Sequence, residues 1–297
     1  MRVDPFFVVN LSSALDQTQA SQQQLSEELS SGLRVTSIGD DPVAAAQNVE
    51  LLNSIQQDDS FTQTSSLTQG LLQVTDSTLG NVVNQLNQAI SLATEANNGT
   101  LDASNLKSIS NQIAGVRDEV LSLANTNYQG QYIFGGSQTG TTPFTLDNST
   151  SPATVTYSGD GDVNTVQSPT GQAIQLNLPG NLVFTSATAS VLGALNNLVA
   201  DYAGGTAGSG VTDTAALNNA LSLVSQQRVT IDNSIAQLND ASGAATEDAT
   251  QLTAIQTNLM QADIPAVSTQ LSMVQSQQSA LINVIAALGQ GSLFDKL

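Results

Sequence analysis

The sequence predicts a mainly α protein with a β-rich domain inserted at its centre and long coiled-coil helices contributed by both ends. Three observations carry that expectation. From Ile264 to Phe294 there is no charged residue, yet apolar positions keep a heptad at Ile264, Val267, Leu271, Val274, Leu281, Ile285 and Leu288, with Gln278 inside the series. An N-terminal segment mirrors it, with Leu11, Leu15, Thr18, Gln22, Leu25 and Leu29 on the same spacing and only Asp16 charged before Glu27. In the middle of the chain the period changes to short alternating runs among Gly, Thr, Pro and Asn. A helix with one wet face normally carries charge there. These two ends use Gln, Ser, Thr, Asn and Ala instead, which suits burial against other protein.

Taken in order, the first helix is expected over residues 11–33, with a break at Ser37-Ile38-Gly39. Asp40-Asp41-Pro42 opens the next. Asp41 is placed to cap the free N–H groups, and Pro42 sits where a missing N–H costs nothing. The helical pattern continues through Val49, Leu52, Leu67, Leu71, Val74, Val82, Leu86 and Ala93 and ends near Asn97-Asn98-Gly99. A third helix carries the seam Leu106, Ile109, Ile113, Val116, Val120 and Leu123. Strands are expected between residues 128 and 184, among them Thr154–Tyr157 and Ile174–Leu178, whose alternation puts apolar residues on one face. Helix returns over residues 190–201, and 203–210 reads as a loop. A long helix then places Leu217, Leu221, Val224, Ile231, Ile235 and Leu238 in heptad positions. Arg228 falls within that seam, and its stem should pack while its head reaches solvent or an acidic neighbour. Asp263-Ile264-Pro265 starts the last helix. The expected domains are therefore nested: 1–39 with 263–297, then 40–127 with 188–262, then 128–187.

The 297 residues suggest about two domains at roughly 150 residues each. With aromatics at 4% and no Trp, long helices zipped along narrow seams are a better expectation than a deep globular core. Six basic against 25 acidic residues give a net charge of −19. Nucleic-acid binding needs clustered Lys and Arg to displace counterions, and that supply is missing. The same deficit argues against docking on anionic lipid. No stretch approaches the roughly 18 apolar residues of a membrane span. The apolar run at residues 5–9 is too short for a conventional signal peptide, so any export is expected to leave the N-terminus uncleaved.

Without His or Cys there is no imidazole base, no thiolate nucleophile, no thiolate or His metal site and no disulfide. Carboxylates remain. Gly159-Asp160-Gly161-Asp162 reads as a hairpin turn or as a weak calcium site, and it lacks the full pattern of an EF-hand loop. Asn98-Gly99-Thr100 and Asn148-Ser149-Thr150 match glycosylation acceptors but also read as loops. Neither catalysis nor a cofactor or metal is expected.

The segment from Leu29 through Ser31, Gly32, Leu33, Arg34 and Val35, followed by Asp40-Asp41-Pro42-Val43-Ala44-Ala45, resembles the N-terminal signature of bacterial flagellins and hook-associated axial proteins. Within that superfamily three stretches resemble the hook-associated protein 3 family: Leu123-Ala124-Asn125 through Tyr128–Gly136 and Pro143-Phe144, then Ala262–Val267, then the ending Ser292-Leu293-Phe294-Asp295-Lys296-Leu297. Phe294, Asp295 and Leu297 carry the distinction, because flagellins tend to end in a Leu-Leu-Arg type sequence. The resemblance implies a flagellin-like nested domain order and a structural adaptor ring between the hook, or its first hook-associated ring, and the filament. It implies a secreted protein of the extracellular flagellum that leaves by type III export. The implied partners are other copies of the chain, the first hook-associated protein, flagellin, and an export chaperone at the C-terminal region. The terminal helices would be disordered in the free monomer and would pair once packed. Two other readings stay open: a filament-forming flagellin, and a secreted helical adhesin whose β insert holds a carbohydrate. A glycosidase built on Asp160 and Asp162 is a more distant one.

Overall fold

Caps set the boundaries of most helices in the computed structural model, which describes residues 5–205 and 208–290. Helix α1 (Pro5–Ser31) starts one turn and a half before the expected Leu11, on a proline that suits a first helical position. It stops at Gly32, whose φ of 71° closes the helix in the left-handed conformation open to glycine while its N–H donates to the Glu28 carbonyl at 2.9 Å. Helix α2 (Pro42–Asn97) begins with the Ala44 N–H donating to the Asp41 carboxylate at 3.0 Å. Asp102 caps α3 (Ala103–Ala124) by accepting from the Asn105 N–H at 2.7 Å. Ser190 does the same for α4 (Val191–Ala203) through Gly193, and Asp263 for α6 (Ile264–Gln290) through Ala266 at 3.1 Å. Between the last two runs α5 (Val211–Met260).

Six short strands lie between α3 and α4: β1 (Asn127–Tyr128), β2 (Gln131–Tyr132), β3 (Phe144–Asp147), β4 (Thr154–Tyr157), β5 (Thr165–Gln167) and β6 (Ala173–Gln175). They form three separate two-stranded antiparallel hairpins, β1-β2, β3-β4 and β5-β6. The strand expected to run to Leu178 ends at Gln175, while Ile174 and Leu178 are both fully buried. Two-stranded hairpins hold little area of their own. Accordingly they contribute to the helical core: Phe134, Phe144, Ile174 and Phe184 join one apolar cluster with residues of α2, α3, α4 and α5. Phe184 meets the edges of Phe134 at 5.0 Å and Phe144 at 5.3 Å between ring centroids, geometries that aromatic quadrupoles favour.

The chain divides into two compact units. One takes the described residues up to Gln57 together with those from Glu247 onward; the other is Asp58–Thr246. In the second unit the α5 seam behaves as its heptad predicts, with Leu217, Val224, Ile231 and Leu238 buried and Leu221 and Ile235 half-buried. Arg228, inside that seam, sends both Nε and Nη2 to the carboxylate of Asp76 on α2, at 2.8 and 3.1 Å. The pair meets the expectation of an acidic neighbour. A second cation escaped sequence reading. Arg117 on α3 is buried and holds Asp118 Oδ1 through Nε and Nη2 at 3.0 and 2.8 Å, and no motif marks it.

Candidate assembly surface

In the first unit, α1 and α6 pack against each other as antiparallel helices. Their crossing is built from the motif residues. Leu33 bridges Gln261, Arg34 N–H donates to the Met260 carbonyl at 2.7 Å, and Ala262 N–H donates to the Gly32 carbonyl at 2.9 Å. Arg34 also donates through Nη2 to the Leu259 carbonyl at 3.1 Å and through Nη1 to Asp41 at 3.1 Å. One cation thus satisfies an open carbonyl at the end of α5, where the helix dipole favours positive charge, and ties it to the cap of α2. The Asp40 carboxylate accepts from the N–H groups of Thr36 and Ser37 at 2.9 and 2.8 Å, which holds the turn between α1 and α2. Those backbone donors, Ser37 foremost, hold the pKa of Asp40 below its ordinary 3.8. Asp41 is lowered as well, first by the Ala44 N–H and then by Arg34. Asp40, the residue before that cap, organises the preceding turn, because its side chain points back to Thr36 and Ser37. Ser31 accepts from the Leu33 N–H at 3.2 Å, and Pro42 is exposed at the head of α2.

The expected seam residues line the α1–α6 pair unevenly. Val267 is buried at 6% exposure. Leu11, Leu15, Leu25, Leu271, Val274 and Leu281 are half-buried. Leu29, Ile264 and Ile285 stay 38, 37 and 38% exposed. The side chain of Leu288 lies outside the described residues, as do Phe294, Asp295 and Leu297. Two helices alone cannot enclose a heptad seam from all sides, and this one is left partly wet. A second apolar track on α6 was missed: Met273 is 57% exposed, and Ala280 and Val284 on the same face are exposed too. Its signal was present as the Met273, Ala280, Ala287 spacing, masked by the stronger seam beside it.

In the hairpin region the Asp160 carboxylate accepts from the N–H of Ser137 at 2.8 Å and of Asp162 at 3.2 Å, and from the Ser137 hydroxyl. This is the work of a turn. Asp160 is lowered below 3.8, mainly by Ser137. Asn148-Ser149-Thr150 lies in the exposed β3–β4 loop, and Asn98-Gly99 in the exposed turn after α2. No described helix is long and apolar enough to cross a membrane.

Comparison with known proteins shows what the chain is similar to. Residues 7–139 match the model of the bacterial flagellin N-terminal helical region, a match that takes in α1, α2, α3 and the first hairpin. More particularly, the chain is similar to flagellar hook-associated protein 3. It is 30% identical over 181 residues to that protein of Salmonella typhimurium, covering 61% of this chain and 55% of the relative. With that of Escherichia coli it is 30% identical over 176 residues, covering 59 and 54%. The matches therefore span about half the length of these relatives. A solved structure from Vibrio parahaemolyticus, described as a flagellar hook-associated protein, shares the fold with a TM-score of 0.64 at 18% identity, covering 75% of this chain and all of that one.

Proposed function

We infer that this chain is a structural axial subunit of the bacterial flagellum, an adaptor that forms a ring joining the hook to the filament. The observation that carries the reading is the terminal helix pair. Its α6 helix is free of charge, its shared seam is half-exposed, and a second apolar track faces outward. Such a surface gains stability when neighbours bury it, at roughly 25 cal/mol per Å² of apolar area. Absence of charge also removes repulsion between identical helices crowded together. Similarity to hook-associated protein 3 supports the junction as the location, outside the cell on the flagellum. Its neighbours in that reading are its own copies, the first hook-associated protein and flagellin, and an export chaperone holds the C-terminal region before assembly. The role is structural and requires no enzyme activity.

Deleting residues 281–297 tests this. Cells carrying the truncated protein should lose attached filaments, while the purified variant keeps the fold of residues 58–246 as read by circular dichroism and near-ultraviolet spectra. Normal filaments on such cells would sink the proposal. The flagellin-type match at residues 7–139 keeps one second reading, a filament subunit. Incubation of purified monomer with filament seeds separates the two. An adaptor adds one layer and stops, whereas a filament subunit grows long fibres.

A further inference from the structure

We propose that the Asn98–Gly99 turn at the end of α2 is a site of spontaneous covalent modification, converting asparagine to aspartate and isoaspartate. It is the only Asn-Gly pair in the sequence. The reaction needs the backbone nitrogen of the following residue to reach the side-chain carbonyl carbon, and three features of this turn leave that approach open. Asn98 and Gly99 are both exposed and lie beyond the last residue of α2. Gly99 has no Cβ to obstruct attack, its φ is 72°, and no atom lies within 4 Å of where a Cβ would stand. Among the described residues the Asn98 carboxamide holds no hydrogen bond, and the Gly99 N–H donates to no backbone carbonyl; the Asn98 N–H alone is tied, to the Glu95 carbonyl at 3.3 Å.

The chemistry balances with water as the co-reactant. The deprotonated Gly99 nitrogen attacks Cγ of Asn98, a C–N bond forms, and the carboxamide nitrogen leaves as ammonia with the proton taken up from solvent. One water then opens the five-membered imide at either carbonyl, giving aspartate or isoaspartate. The product carries a new negative charge at the end of α2, the end the helix dipole makes unfavourable for it. The isoaspartyl form adds a main-chain carbon next to Asn97. That residue donates to the Thr214 hydroxyl at 3.0 Å and accepts from the buried Tyr202 hydroxyl at 3.0 Å, so the change pulls on a contact to α4 and α5.

The chain contains its own controls. Asn53-Ser54 and Asn233-Ser234 lie inside α2 and α5, where the helical backbone keeps the attacking nitrogen away. Asn148-Ser149 is exposed but presents a bulkier residue, and the Ser149 N–H is held by Asp147 at 2.8 Å. Asp160-Gly161 has the glycine, but its carboxylate is engaged by Ser137 and Asp162.

The test holds the full-length protein at mildly alkaline pH, once folded and once in guanidinium chloride, and maps peptides by mass and retention. In the folded chain Asn98 should convert at a rate within roughly threefold of the unfolded chain and about tenfold faster than Asn148, while Asp160-Gly161 forms isoaspartate only when unfolded. Suppression of Asn98 conversion by about tenfold or more on folding, or conversion no faster than that of Asn148, overturns the proposal.

Discussion

Asp201, near the end of α4, illustrates how one carboxyl can work against the fold that holds it. Burial raises its pKa above the usual 3.8, and the neighbouring Asp213 carboxyl raises it further. Its Oδ2 is buried with no partner among the described residues. Asp213 itself accepts from Asn197 Nδ2 at 2.9 Å. The folded state therefore binds the Asp201 proton more tightly than the unfolded state does. Stability contributed by this group is complete below 3.8 and is lost as pH rises through the higher folded value. Asp160 has the opposite sign. Its folded value is depressed, so its contribution is present above 3.8 and is lost as pH falls through the lower folded value. Replacing Asp201 by Asn keeps the shape and removes the ionisation. Asp201→Asn should raise the thermal midpoint at neutral pH, with the gain fading as pH falls through the raised folded value and gone below 3.8. Melting curves across that range decide it, and a lower midpoint at neutral pH would refute the assignment.

At the scale of elements, the hairpins depend on the helices beneath them. Phe184 follows the short 3-10 turn at Gly180–Leu182, is fully buried, and joins Phe134 at the exit of β1-β2 to Phe144 at the start of β3. Phe184→Ala should cost about 3–5 kcal/mol in denaturant unfolding, since it removes a ring and leaves a cavity that short strands collapse around poorly. A loss under about 1 kcal/mol would mean that the hairpins stand without it. The Arg228–Asp76 pair is a weaker element of the α2–α5 contact because both side chains are partly exposed, and such pairs contribute up to about 1 kcal/mol. Legibility in the sequence followed the range of the interaction. Asp41 and Asp263 act on N–H groups three residues away, so local spacing revealed them; Asp102 and Ser190 act the same way and were not read as caps. The Arg228 partner was foreseeable in kind, but Asp76 lies far off in sequence and nothing local selects it. The end of β6 was misjudged because alternation continues through Leu178 while pairing stops at Gln175.

At the scale of the molecule, burial is uneven. The unit formed by Asp58–Thr246 holds the large apolar cluster, whereas the α1–α6 pair has Val267 as its one buried seam residue among those described. Local opening is easiest where few apolar contacts must be broken. Limited proteolysis of dilute full-length protein should therefore cut within α1 and α6 first and leave a resistant fragment containing residues 58–246. Resistance of both terminal helices equal to that of the fragment would show that the pair is stable without neighbours, and it would weaken the assembly reading.

What the sequence by itself determined is everything written in short-range code: the six helices and the caps at Asp41 and Asp263, the change of period at residue 128, and the heptads at both ends, the C-terminal one free of charge. Backbone capping and side-chain periodicity act over one or two turns, so they survive without knowledge of the fold. Tertiary structure alone decided which partners Arg34, Arg117 and Asp201 meet, that three small hairpins share one core with the helices, and that the α1–α6 seam stays half-open. Those outcomes depend on which distant surfaces come together and how much area two helices can cover, and no local pattern records either.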